Sequence, residues 1–349
     1  MITDIKRLVR KNIQKLAPYS TARDDFKGNA DTWLDANESP YANSWNRYPD
    51  PRQKVLKARI SEIKGIPQDN IFLGNGSDEA IDLIYRIFCN PGVDNVVAVA
   101  PTYGMYEVAA GINDAEYRPV QLGEEFSFNA EALLEACDIN TKAIFICSPN
   151  NPTGNSFEPA DMLDVVCRFE GIVVIDEAYI DFSASASMSE YIVDYPNIVV
   201  LQTLSKARGL AALRIGMAFA DRQVIELMNN VKYPYNISGA AQREALELLG
   251  KEIEDEVAEI CRERGYVSDN LLKYKCVEKV YPSRSNFVLV KVANPDGLYD
   301  WLVKDGIIVR NRSRVKGCEG CLRITIGLAG ENERLLKSLG EYEKSNIYR

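Results

Sequence analysis

The sequence predicts an α/β protein, a large domain with a mainly parallel sheet flanked by helices, followed by a smaller α+β domain. Three observations carry this expectation. Short apolar runs of strand length recur between about Ile71 and Ala220, helical patterns fall between them, and the order of elements changes after Tyr233-Pro234-Tyr235. Strands that alternate with helices are joined by crossovers and run parallel, and a strand covered on both faces reads as an unbroken apolar run.

The first fourteen residues alternate apolar positions with Lys and Arg and lack the continuous apolar core of a secretory signal. Residues 1–30 are expected to form an arm associated with the smaller domain. The large domain is expected over residues 31–235. Its strands are Val96-Val97-Ala98-Val99, Ala143-Ile144-Phe145-Ile146, Ile172-Val173-Val174-Ile175, Ile198-Val199-Val200-Leu201 and residues 215–220, with helices at 78–88 and 159–169. The smaller domain is expected over residues 236–349, with one long helical stretch from 240 to about 274 and strands at 287–292, 307–310 and 322–326.

The chain has 349 residues, of which 46% are hydrophobic and 26% charged, an ordinary composition for a globular protein with a sizeable core. A net charge of −9 repels a phosphate backbone, so nucleic acid is not an expected partner. No apolar run approaches the roughly 20 residues of a membrane helix, so no membrane association is expected. Eight scattered cysteines suit a reducing compartment, here taken as the cytoplasm. Cys318 and Cys321 form a lone C-x-x-C without the second pair that a metal site needs, so no metal is expected.

The chain contains no histidine. That removes Ser-His-Asp hydrolysis and most zinc chemistry, and makes a lysine tuned by its surroundings the leading candidate for base and nucleophile. Asp176 follows four buried-strand residues, and Ser205-Lys206 follows the strand thirty residues later. Ligands of such sheets sit at the C-terminal strand ends. Each residue alone also reads as an ordinary solvated strand end, but the pair is what an imine-forming cofactor with a pyridine nitrogen requires. Gly74-Asn75-Gly76-Ser77-Asp78 leads a strand into a helix, which supplies free N–H groups for a phosphate or, more plainly, a helix cap. Ser148-Pro149-Asn150-Asn151-Pro152-Thr153-Gly154 reads as a turn. Arg310, Arg312, Arg314 and Arg323 concentrate positive charge in an acidic protein, as an anion site or as solvated strand residues.

Together these segments resemble the fold-type I pyridoxal-phosphate aminotransferases. The resemblance spans essentially the whole chain and includes Leu34-Asp35-Ala36-Asn37-Glu38, Arg47-Tyr48-Pro49, Pro101-Thr102-Tyr103-Gly104-Met105-Tyr106, the Asn-Pro-Thr-Gly turn, Asp176-Glu177-Ala178-Tyr179, Ser205-Lys206 and Cys321-Leu322-Arg323-Ile324-Thr325.

It implies pyridoxal 5'-phosphate as cofactor, with Lys206 as covalent anchor and later general base, and Asp176 beside the pyridine nitrogen. It also implies Tyr179 and Asn151 at the phenolate oxygen and Tyr103 on the ring face. Gly76, Ser77, Asp78, Ser205 and Arg214 are expected at the phosphate, joined by Tyr48 from a second subunit of a homodimer. Arg323 and Arg310 are expected to grip the substrate anion, Tyr19 to act as a lid, and Asn37 to touch substrate. The branch it resembles most moves an amino group from L-histidinol phosphate to 2-oxoglutarate, giving imidazole acetol phosphate and glutamate, a step of histidine biosynthesis. A threonine-phosphate decarboxylase or an aromatic aminotransferase is the alternative within the fold. A cofactor-binding regulator would need a DNA-binding module, and no basic recognition helix is present. One departure from the family is Arg208, two residues after the lysine where an aromatic is usual, with Ala212 replacing a glycine. Arg208 either joins the cations near the cofactor, pairs across the dimer, or points away.

Overall fold

The computed structural model describes residues 4–19, 21, 26, 28 and 30–345. Seven strands form the large sheet: β1 (Ile71–Asn75), β2 (Asn95–Ala100), β3 (Glu116–Gln121), β4 (Thr141–Cys147), β5 (Ile172–Asp176), β6 (Ile198–Thr203) and β7 (Ile215–Ala220), in the order β1-β7-β6-β5-β4-β2-β3. From β6 to β3 the neighbours are parallel; β7 runs against both β6 and β1. The five central strands β2, β4, β5, β6 and β7 are buried at nearly every position, as their apolar runs predict. Full burial of each Val or Ile contributes about 1.5–3 kcal/mol.

Helices cover both faces. On one lie α1 (Ile5–Leu8), α4 (Ser77–Phe88), α5 (Met105–Ile112) and α8 (Arg222–Val231), which bury Ile81, Ile84, Phe88, Tyr106, Val224 and Met228. The other carries α3 (Lys54–Lys64), α6 (Ala130–Glu135), α7 (Pro159–Arg168) and α9 (Gly239–Leu248), which bury Leu56, Ile60, Leu133, Val165 and Ala245. A one-turn helix α2 (Lys11–Gln14) precedes the arm's exposed end. The smaller domain has a separate core around Val267, Leu271, Val290, Leu302, Leu322 and Leu339. It is built from α10 (Glu254–Leu271), β8 (Val277–Val280), β9 (Phe287–Val292), α11 (Pro295–Lys304), β10 (Arg310–Asn311), β11 (Cys321–Thr325) and α12 (Ala329–Lys344), with an antiparallel sheet ordered β10-β11-β9-β8.

Four expectations are corrected. The arm packs on the large domain: Ile5 and Val9 enter its core, and Arg10 N–H donates to the Ile87 carbonyl at 3.0 Å. The domain boundary falls near Gly250, because Ile237, Ala245 and Leu249 belong to the large core. The stretch read as one helix is two, α9 and α10. The strand expected over 307–310 starts only at Arg310, since the chain from Gly306 is still leaving α11.

Strand polarity positions the site. The parallel strands β5 and β6 deliver Asp176 and Lys206 at their C-terminal ends, while the reversed β7 brings its beginning, with Arg214 just before it, to the same end. From the smaller domain, β10 and β11 present arginines toward that edge.

Candidate active site

A cavity of about 420 Å³ opens at this end, and Lys206, Asp176, Arg214 and Arg323 all line it. Its floor begins at the start of α4. Gly76 adopts φ 71°, a left-handed conformation that suits glycine, and a Cβ there would meet the Arg214 guanidinium at 2.7 Å. Gly216 in β7 lies so close beneath that a Cβ would come within 2.0 Å of the Ser77 nitrogen. The turn therefore rests directly on the sheet. No side chain caps α4, so its first N–H groups face the cavity as anion donors. Arg214, itself left-handed at φ 56°, stands over them 3.5 Å from Asp78.

Asp176 is buried at the end of β5. Its carboxylate accepts hydrogen bonds from the Tyr106 hydroxyl at 2.7 Å and the Ala178 N–H at 3.0 Å. Burial raises its pKa, and these two donors work the other way. Tyr106 is held by stacking on Phe145, with ring centroids 4.9 Å apart. Lys206 stands nearby with its Nζ 5.5 Å from the Tyr179 ring centroid. Its pKa is lowered, first by burial and then by Arg323. Tyr103 packs edge-on to Tyr106 and donates its hydroxyl to Asp78 at 3.0 Å.

In the Ser148–Gly154 turn, Asn150 is wholly buried and ties to Thr102, Pro101 and Thr153, which frees Asn151 to face the cavity. Asn151 accepts from Arg323. Arg323 and Arg310 are direct partners across β10 and β11. Arg312, two residues along from Arg310, joins them on the cavity wall. Arg323 and Arg312 each bury an Nε that has no hydrogen-bond partner, and burial lowers both pKa values. Three guanidinium groups converge here with donors to spare, which is an anion site in chemical terms.

Gly76, Ser77, Asp78, Tyr103, Asn151, Asp176, Tyr179, Ser205, Lys206, Arg214, Arg310 and Arg323 are thus brought together. Tyr48, Asn37 and Tyr19 are not. Glu38 holds the Arg47 guanidinium and the Tyr48 N–H at 2.6 Å each, and the Tyr48 ring stacks on Tyr235 at 4.5 Å. Tyr48 and Asn37 therefore line a separate groove, and Tyr19 is 75% exposed. Arg208 turns away from the cavity and donates to the Lys251 carbonyl at 2.6 Å, while Ala212 sits in an ordinary helical turn at Ala211–Leu213. Arg312, read from sequence either as part of an anion site or as solvated, lines the cavity beside Arg310. One residue escaped the sequence reading: Tyr106 stood in a quoted motif, but spacing alone does not say where a hydroxyl points. Cys318 and Cys321 are free, buried thiols raised by burial to about 12 and 11, which leaves them unreactive. Among the described residues no His/Cys/Asp/Glu group is arranged to hold a metal.

The architecture is shared with solved structures. A histidinol-phosphate aminotransferase from Sinorhizobium meliloti in complex with pyridoxal-5'-phosphate superposes with a TM-score of 0.80 at 22% identity, over 89% of this chain and 90% of that one. An L-threonine-O-3-phosphate decarboxylase from Porphyromonas gingivalis reaches 0.74 at 20% identity, over 85% and 91%. At such identities these are likenesses of fold, and the fold they define is that of the fold-type I pyridoxal-phosphate enzymes. The chain belongs to the family of class I and II aminotransferases, which it matches over residues 22–339, and within it to the histidinol-phosphate aminotransferases. A protein of that name from Parabacteroides distasonis is 53% identical over 338 residues, covering 96% of this chain and 98% of its own.

The residues fit the family's cofactor. A glycine-floored helix start under Arg214 suits a phosphate, a buried carboxylate without a lysine or arginine paired to it among the described residues suits a pyridinium, and Lys206 offers the amine.

Proposed function

We propose that the protein transfers the amino group of L-histidinol phosphate to 2-oxoglutarate, yielding imidazole acetol phosphate and L-glutamate, with pyridoxal 5'-phosphate anchored on Lys206. One observation carries the chemistry: Lys206 and Asp176 face one cavity between a helix N-terminus and three converging arginines. The substrate follows from the name of the relative that shares 53% of its residues. The likeness to a decarboxylase is one of fold at 20% identity and carries no preference for that reaction.

When bound, the cofactor supplies a conjugated electron sink for the electrons left on the substrate α-carbon. Lys206 Nζ takes the α-proton and returns it, and its lowered pKa keeps more of the amine free to do so near neutrality. Asp176, oriented by Tyr106 and Ala178, keeps the pyridine nitrogen protonated. The N–H groups at Ser77 and Asp78, at the helix start that the Gly76 turn opens, hold the cofactor phosphate with Ser205 and Arg214, while the Gly76 N–H is donated to the Arg214 carbonyl at 2.6 Å. Tyr103 flanks the ring, and Tyr179 with Asn151 donates to its phenolate oxygen. Arg323 and Arg310, joined by Arg312, receive the phosphate of one substrate and the carboxylate of the other.

Two chains pair in this reading. Tyr48 reaches the partner's cofactor phosphate from the groove it now lines with Asn37, while Asn37 and Tyr19 complete the substrate end. Eight free cysteines suit a reducing cytoplasm.

The test is the absorbance spectrum of the cofactor-loaded protein before and after L-histidinol phosphate, without a keto acid. The visible band disappears, and 2-oxoglutarate restores it with release of glutamate. A band unmoved by histidinol phosphate removes the substrate and leaves the class; absence of any band removes Lys206 as anchor.

A further inference from the structure

We propose that a second cavity, sharing no residue with the first, binds a small anion of the phosphate class. It lies between α3 and the start of α8, has a volume of about 290 Å³, and is lined by Arg52, Lys54, Lys57 and Arg222 against Asp69 and Glu226. Four cations face two carboxylates in a protein whose net charge is −9.

The argument turns on Lys57. Its side chain is 7% exposed, lines this cavity, and among the described residues has neither an ion pair nor a hydrogen-bond acceptor. The carboxylate of Asp50 is already taken by the N–H groups of Arg52 and Lys54, at 2.9 and 2.7 Å. Asp69 is shared with Arg222 through a long contact of 3.6 Å between two largely exposed side chains. A neighbouring lysine shows how the same fold treats a buried ammonium that is purely structural. Lys232 Nζ donates to the carbonyls of Pro51, Tyr233 and Pro234 and to Asn236, at 2.9–3.2 Å. Lys57 has no such cage.

Lys57 is largely withdrawn from water and what it exposes lies on this cavity; a cation so placed without a protein partner is costly, and further cations beside it add to the cost. Burial, then Lys232 and Arg52, lower the Lys57 pKa to about 8, so at neutral pH the amine is still largely charged. An anion in the cavity supplies the missing acceptor and offsets the repulsion. A tetrahedral oxyanion suits several cations converging from α3, the turn before it and α8, because it accepts in several directions at once.

The experiment is calorimetric titration of the cofactor-loaded protein with inorganic phosphate, and separately with glycerol phosphate. One site per chain is expected that survives Arg323→Lys in the active cavity. Its affinity falls roughly tenfold or more in Lys57→Met and in Arg222→Gln, as loss of a charge-assisted hydrogen bond requires. Binding also weakens as pH is raised from 7 to 9 and Lys57 loses its proton. Arg222 is exposed, so its variant tests the site even where Lys57→Met folds poorly. Binding of either ligand supports the proposal, and which of them binds tells a free ion from a phosphomonoester. Absence of saturable binding at millimolar concentrations of both, or affinity unchanged in both variants, overturns it.

Discussion

Lys206 and Lys57 lie in the same domain, and burial lowers the pKa of each. Their neighbourhoods differ. Around Lys206 stand a tyrosine ring, two carboxylates that raise its pKa and two arginines that lower it further, all on the wall of one cavity. Lys57 lies on the side of a helix, where Lys232 and Arg52 outweigh Asp50 and Asp69 in their effect on it. Desolvation alone therefore does not mark a catalytic amine. The mark is desolvation at a strand end, opposite a fixed acid, with room for a ring between them.

The largest expected effect separates the two lysines directly. Lys206→Ala should lower turnover roughly 10³-fold or more, since base and anchor go together. Lys57→Met should leave kcat unchanged and raise stability. The sign is fixed by linkage. With a folded pKa of about 8 against 10.5 ordinarily, the folded state binds fewer protons between those values. In phosphate-free buffer the wild type should thus gain up to about 3 kcal/mol on the variant as pH rises from 8 to 10.5. Urea midpoints of both proteins across that window measure it, and parallel curves would erase the contrast.

A smaller effect sharpens the anion end of the active cavity. Arg310→Ala should raise KM for histidinol phosphate by roughly tenfold or more, as loss of a charge-assisted contact implies, and impair glutamate less. Equal losses for both substrates would count against the proposed substrate. The smallest concerns the acid opposite Lys206. Tyr106→Phe leaves Asp176 only the Ala178 N–H, so its pKa should rise and the pH titration of the bound cofactor's absorbance should shift. A several-fold loss of turnover is expected with it, and activity loss without that spectral shift would reduce Tyr106 to a packing role.

The strands that build the cavity were legible because burial on both faces writes itself as unbroken apolar runs. β3 was missed for the opposite reason. It is an edge strand with Pro119 inside it and alternating, partly exposed side chains, so no apolar run announces it. β8 is short and buried only at Val277. The domain boundary was misplaced because the Pro234 turn looks like a linker, whereas the apolar face of α9 is matched to α3, far back in the chain. Within the site, residues at strand ends and in glycine turns could be found from sequence. Tyr48, Asn37 and Tyr19 came from family resemblance alone, and none of them lines the cavity in the single chain; the role expected of Tyr48 calls for a second subunit.

The single reversed strand of the large sheet has a consequence for how far apart in sequence the site's halves lie. Because β7 returns directly against β6, pairing Thr203 with Gly216, Lys206 and Arg214 belong to one hairpin connection. Asn151 and Arg323, by contrast, meet across a separation of 172 residues. Closing a loop costs entropy that grows with the logarithm of its length, and contacts within a hairpin form before those that wait for distant segments. The two residues assigned to opposite ends of the cofactor are thus set by local chain geometry, while the grip on the substrate is a long-range achievement, and loosening of the smaller domain would release the second before the first.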